Sequence, residues 1–121
     1  MSTRAQVIIQ DQSDQLWFYR HCDGYPDGVR ETLWKFLDLI ADGTIRDNAS
    51  QSAGWLVIIG HEEYNKIMYP PDWQVGAYEP CSPALYENVE YLYRVDVVKQ
   101  TITCRDIFEN EEYTLIREED E

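Results

Sequence analysis

The stretch "YRHCDGYPDG", residues 19–28, collects residue types from which a small site can be built. Arg20 is a permanent cation able to hold an anion, and His21 exchanges protons near neutral pH. Asp23 could orient that histidine or ligate a metal, and Tyr25 completes the candidate ligand-binding set. A structural account competes with this one. On a regular strand Arg20 and His21 point to opposite faces. Asp23 and Asp27 suit turn closure and helix capping, Gly24 and Gly28 suit unusual backbone angles, and Pro26 fixes one φ. The residues themselves favour a corner between a strand and a helix. A small-ligand or enzymatic site at Arg20, His21, Asp23 and Tyr25 is the alternative.

Other chemistry is thinly supported. Cys22, His21, His61 and Cys104 lack the paired ligand spacing of a zinc site, so no metal and no cofactor is expected. A cysteine nucleophile needs a base beside it, and Cys22 and His21 as strand neighbours face apart. The glycine patterns of phosphate-binding loops are missing. "HEEYN", residues 61–65, lacks the second histidine of a zinc-protease helix, so Glu62 and Glu63 read as a solvated face. No catalytic residue is assigned.

The elements that must position these residues follow from periodicity. "TRAQVIIQD" alternates, with Ala5, Val7 and Ile9 on one face, and reads as a strand. "LWFYRH" follows as a hairpin partner, with Leu16, Phe18 and Arg20 opposite Trp17, Tyr19 and His21. After the corner, Val29, Leu33, Phe36, Leu37 and Ile40 form one face of a helix. Asp27 is its expected N-cap and Gly43 its C′ residue. "GWLVIIG" alone reads equally as a buried strand. Length and the cap candidates Asp47, Asn48 and Ser50 favour a second helix, with Ala49, Ala53, Leu56, Val57, Gly60, Tyr64 and Ile67 inward. "MYPPDW" ends it. "WQVGAY" is a short strand candidate. "NVEYLYRVDVV" sets Val89, Tyr91, Tyr93, Val95 and Val97 against Glu90, Leu92, Arg94, Asp96 and Val98, and "TITCRDIF" returns antiparallel to it. "YTLI" offers a short edge strand, and "REEDE" is expected to be disordered.

The expectation is an α+β domain: an antiparallel sheet with two helices on one face, in the order β-β-α-α-β-β-β. Two helices cannot cover both faces of such a sheet. Trp17, Tyr19, Leu92 and Val98 therefore mark a candidate partner surface.

Composition bounds the function. A chain of 121 residues is one domain's length, and nine Tyr, four Trp and three Phe suit a packed core. The net charge is -13, and residues 106–121 carry 8 acids against Arg117, contributing -7 of it. The domain is thus placed at 1–107, with an acidic tail at 108–121. This charge argues against direct nucleic-acid binding and against an anionic membrane. It suits solubility first. It also permits mimicry of a nucleic acid, with Phe108, Tyr113, Leu115 and Ile116 interleaved among the tail's carboxylates. The longest apolar run, "WLVII", is far short of the ~20 residues of a membrane span. The start lacks a signal-peptide pattern, and three widely spaced cysteines, Cys22, Cys81 and Cys104, fit a reducing cytoplasm.

Tyr19, Arg20, His21, Asp23, Gly24, Tyr25, Pro26 and Gly28, after the opening "MSTRAQVIIQ", resemble the start of a family of small phage, prophage and bacterial proteins. "VEYLYRVDV" and "QTITC" resemble that family's paired strands near the C-terminus. The likeness covers residues 1–43 and 87–107. It implies a mobile-element origin and a cytoplasmic location, and it carries no catalytic role. The expected function is that of a non-enzymatic interaction protein, binding a host protein or itself, with a homodimer as one form. The alternatives are the corner site and an acidic nucleic-acid mimic that inhibits a DNA-acting defence enzyme.

Overall fold

The computed structural model describes residues 2–67 and 76–117. Along them run β1 (Ala5–Gln10), β2 (Gln15–Arg20), α1 (Pro26–Ala41), α2 (Ala49–Ile67), β3 (Glu79–Pro80), β4 (Tyr91–Asp96), β5 (Thr101–Asp106) and β6 (Glu111–Thr114). The strands form one sheet in the order β3-β2-β1-β4-β5-β6. The α+β class holds, but the sheet is mixed rather than antiparallel. Its two central strands, β1 and β4, run parallel from Ala5↔Tyr91 to Gln10↔Asp96, and the other pairs are antiparallel. The cause is topological. After the β1–β2 hairpin the chain passes through both helices and re-enters beside the far edge of β1, in the direction of β1.

Two further corrections concern the ends of elements. "WQVGAY" falls partly outside the described residues, and the short strand is at Glu79–Pro80 instead. Residues 111–117, placed above in an acidic tail although "YTLI" was offered as a short edge strand, join the fold: β6 pairs with β5 at the sheet edge, and Leu115 is buried. The segment then straps onto α1. Trp34 Nε1 donates to Leu115 O at 3.2 Å, Arg30 Nε donates to Ile116 O at 3.0 Å, and Arg117 holds Asp38 with two hydrogen bonds. The Arg117 guanidinium also lies 4.5 Å over the Trp34 ring.

The helices build the main core. Val29, Leu33, Phe36, Leu37 and Ile40 of α1 and Ala49, Ala53, Leu56 and Ile59 of α2 form one buried cluster with Ala5, Val7, Ile9, Phe18, Tyr93 and Val95 of the sheet. The N-cap of α1 is Tyr25, with no side-chain cap bond, rather than Asp27. Pro26 starts the helix with its φ already set, so Asp27 falls in the first turn, where it pairs with Arg30. Gly43, at φ +86°, closes the helix as expected. The start of α2 is capped twice. Asn48 Oδ1 accepts from Gln51 N at 3.1 Å, and Asp11 Oδ2, from the β1–β2 turn, accepts from Ala49 N at 2.8 Å.

Over β1 and β2 the second face of the sheet is covered by chain, not by a helix. Gln6 and Ile8 point away from the helices and are nonetheless fully buried. Gln6 Nε2 donates to Ala84 O at 2.9 Å, and Tyr86 N donates back to Gln6 Oε1 at 3.0 Å. The Tyr86 ring lies 5.8 Å from that of Tyr19. Residues 81–90 are thus folded over the face that the helices leave open.

Candidate functional site

The corner at residues 19–28 is held by backbone contacts. Gly24 N donates to Thr3 O at 2.9 Å, and Gly24 O accepts from the buried Tyr93 hydroxyl at 2.6 Å. Asp23 adopts φ +56°, an unusual angle for a residue with a side chain. A Cβ on Gly28 would lie 2.1 Å from Asp23 O, so the first turn of α1 packs directly on the turn backbone.

The four candidate ligand-binding residues do not converge. Arg20 is 1% exposed and faces the helices, as its place with Leu16 and Phe18 requires. His21 is half-buried and accepts or donates at Nδ1 to the Tyr19 hydroxyl, 2.9 Å away. Asp23 and Tyr25 are exposed. Among the described residues no three histidines, cysteines or acids gather as a metal site would need.

Arg20 instead anchors a buried polar cluster that the sequence reading did not assemble. Its Nε donates to Cys22 O at 2.8 Å, and its Nη1 lies 3.4 Å from Glu63 Oε1. Thr32 of α1 donates its hydroxyl to the same carboxylate oxygen. Glu63, read above as part of a solvated face, therefore ties the C-terminal part of α2 to β2 and α1. The guanidinium also sits 4.9 Å from the centroid of the Tyr78 ring. Tyr78 reaches this position because position 60 is glycine: a Cβ there would lie 2.6 Å from the Tyr78 ring. The Tyr78 hydroxyl is buried beside Arg20 and Thr32 without hydrogen-bond geometry to either, and it has no partner among the described residues. Burial pushes its pKa up to about 12.

The partner-surface residues divide. Trp17, Tyr19 and Leu92 are half-buried, and Val98, in the β4–β5 turn, is exposed. Residues 81–90 reach Tyr19 through the Tyr86 ring. Trp17 instead lines a cleft between the start of β2, α2 and the chain after β3. This cleft has a volume of about 400 Å³ and is walled chiefly by Leu16, Trp17, Phe18, Val57, Pro80 and Pro83. Its polar contributors are Gln15, Ser50 and Cys81. Cys81 N donates to Trp17 O at 2.9 Å, and Gln15 lies beyond the reach of the two-residue β3. On α2, Trp55 and Ile58 stand 46% and 48% exposed, Ile58 one turn along from Gly54 of the cleft wall. The helix is apolar on more than its core face, which is why its amphipathic signal is weak.

The cysteines are free thiols: Cys22 lies 3.6 Å from Ser2 Oγ, Cys81 edges the cleft, and Cys104 is buried, which raises its pKa. Among the described residues no helix is long and apolar enough to cross a membrane. Compared with protein-family models, curated proteins and solved structures, the chain matches none.

Proposed function

We propose that this chain is a binding protein rather than an enzyme, and that it takes an extended apolar segment of a partner protein into the cleft between β2 and α2. The cleft itself carries the reading. Its walls are chiefly apolar, residues of β2 form one side of it, and Trp55 and Ile58 add exposed apolar area on α2. Such a surface gains from desolvation, with a few backbone and side-chain polar groups to set direction. Polar groups of the buried cluster are engaged with one another: Arg20 pairs with Glu63, and the Thr32 hydroxyl donates to the same carboxylate. With the resemblance of the first 43 residues to phage and prophage proteins, the partner is proposed to be a host protein. Self-association through the same cleft is the second form of this function.

Gly54 supplies the test. A Cβ there would meet nothing within 4 Å and the position is exposed, so Gly54→Arg adds a bulky cation to the cleft wall without displacing a core contact at its Cβ. The wild type should retain a partner in a pull-down, or scatter light as more than 14.3 kDa, and the folded variant should do neither. Equal retention by both would place the interaction elsewhere. A wild-type monomer that retains nothing would refute the function.

A further inference from the structure

The sheet's other edge carries a second, independent inference. β6 is the last strand of the sheet, and all four of its residues are exposed. Leu115 N donates to Ile102 O at 2.8 Å. By the alternation of an antiparallel ladder, the N–H and C=O groups of Glu112 and Thr114 then point away from β5. No described strand takes them. Apolar side chains flank this row at both ends: Phe108 at the hairpin tip is 67% exposed, and Ile116 beyond the strand is 55% exposed. The segment from Asp106 to Thr114 carries four carboxylates, Asp106, Glu109, Glu111 and Glu112, and no cation. Arg105, paired across the ladder with Glu112, is the nearest compensation on β5.

We infer that β6 accepts, as a seventh strand, an extended segment in which basic and apolar residues alternate. Backbone groups of Glu112 and Thr114 supply the pairing, the carboxylates select lysine or arginine, and Phe108 and Ile116 receive the apolar positions. A second copy of this chain is disfavoured as the occupant, because it would bring its own four carboxylates against these. The edge is guarded against self and open to a cationic strand.

The test uses peptides of about eight residues alternating lysine with valine, and glutamate with valine as the control. With the lysine peptide, amide exchange at Glu112 and Thr114 should slow by roughly tenfold while the control changes nothing. Thr114→Pro removes the outward donor without breaking the β5 ladder, and should abolish that protection. Should that variant not fold, the pair Glu111→Lys and Glu112→Lys keeps the backbone edge and should exchange the lysine peptide for the glutamate one. Three results would overturn the inference. They are no binding, binding that survives Thr114→Pro unchanged (a diffuse acidic field, as in a nucleic-acid mimic), and an edge already closed by a second copy.

Discussion

Two buried tyrosines give opposite expectations for the same substitution. Tyr93 donates its hydroxyl to Gly24 O at 2.6 Å, joining β4 to the corner across 69 residues of chain. In Tyr93→Phe the ring volume is kept, so almost no cavity is opened, but a buried carbonyl loses its donor. Leaving such a group unsatisfied costs about 1–3 kcal/mol. At this chain length each kcal/mol moves Tm by roughly 3–5 °C, so a cost near the middle lowers Tm by roughly 6–10 °C. Tyr78 is as deeply buried, yet its hydroxyl has no partner among the described residues. Burying a hydroxyl without a hydrogen bond costs about 1–3 kcal/mol, so Tyr78→Phe should be neutral or stabilising by up to about that amount. Calorimetry and urea unfolding on both variants measure the difference, with equal m-values showing that the comparison is of native states. The informative failure is a Tyr78→Phe variant as destabilised as Tyr93→Phe. The hydroxyl would then be hydrogen-bonded after all, with Arg20 or Thr32 beside it as the nearest candidates, and the claim that it is unsatisfied would fall.

Further outcomes follow from the same contacts. Arg20→Ala removes the cation beside the part-exposed Glu63 carboxylate and the donor to Cys22 O, and should cost about 1.5–3 kcal/mol or more, whereas His21→Ala loses one half-buried hydrogen bond and should cost less than about 1.5 kcal/mol by the same unfolding assay. Gly28→Ala drives a Cβ into Asp23 O and should destabilise by about 1–3 kcal/mol or more, while Gly54→Ala, in open space on a helix, should stabilise by about 0.8–1 kcal/mol. The Arg117 hydrogen bonds hold the Asp38 carboxyl below its ordinary 3.8. A depressed carboxyl stabilises fully above pH 3.8 and loses that contribution as pH falls through its lower folded value. The pair is exposed, so its worth is about 0.2–1 kcal/mol. Acidification below pH 3.8 should therefore loosen the Arg117 end of the strap while Leu115 stays buried, read as a small shift of the Trp34 indole N–H signal in NMR, and Arg117→Ala, which lacks the pair at every pH, should lose that pH dependence.

Local periodicity carried much of this fold, and topology carried what was missed. The β1–β2 and β4–β5 hairpins and the inward face of α1 follow from alternation and from 3.6-residue spacing, both of which lie within a short window. The parallel pairing of β1 with β4 joins residues more than 80 positions apart, and no local signal reports it. β6 was read in part: "YTLI" offered a short edge strand, but its charged first half was not recognised. Glu111 and Glu112 read as tail, although Leu115 three residues on is core and brings the strand with it. At the corner the period of two placed Arg20 with Leu16 and Phe18, facing the helices. Its partner was invisible, because Glu63 reaches it only through the packing of α2 on β2. The fully buried Gln6 also lacked a signal, since its amide is satisfied by a loop some 80 residues away.

The same topology bears on where recognition takes place. A sheet with helices on one face and bare strands on the other would bind through its open face, and Trp17, Tyr19, Leu92 and Val98 were singled out on that basis. Residues 81–90 change the geometry by folding over β1 and β2, where Gln6 and Ile8 are sealed. The two margins of the sheet are left as well, and they differ in kind. At the β2 margin the two-residue β3 stops short, leaving Gln15 and an apolar cleft against α2. At the β6 margin the backbone is bare and acidic. An apolar cleft tolerates salt, because desolvation drives it. A charged edge loses affinity as salt screens it. Binding at the two margins should therefore separate along an ionic-strength series: Gly54→Arg removes the component that persists at high salt, and Thr114→Pro removes the component that does not. If both substitutions abolish the same salt-sensitive signal, the margins are not two sites.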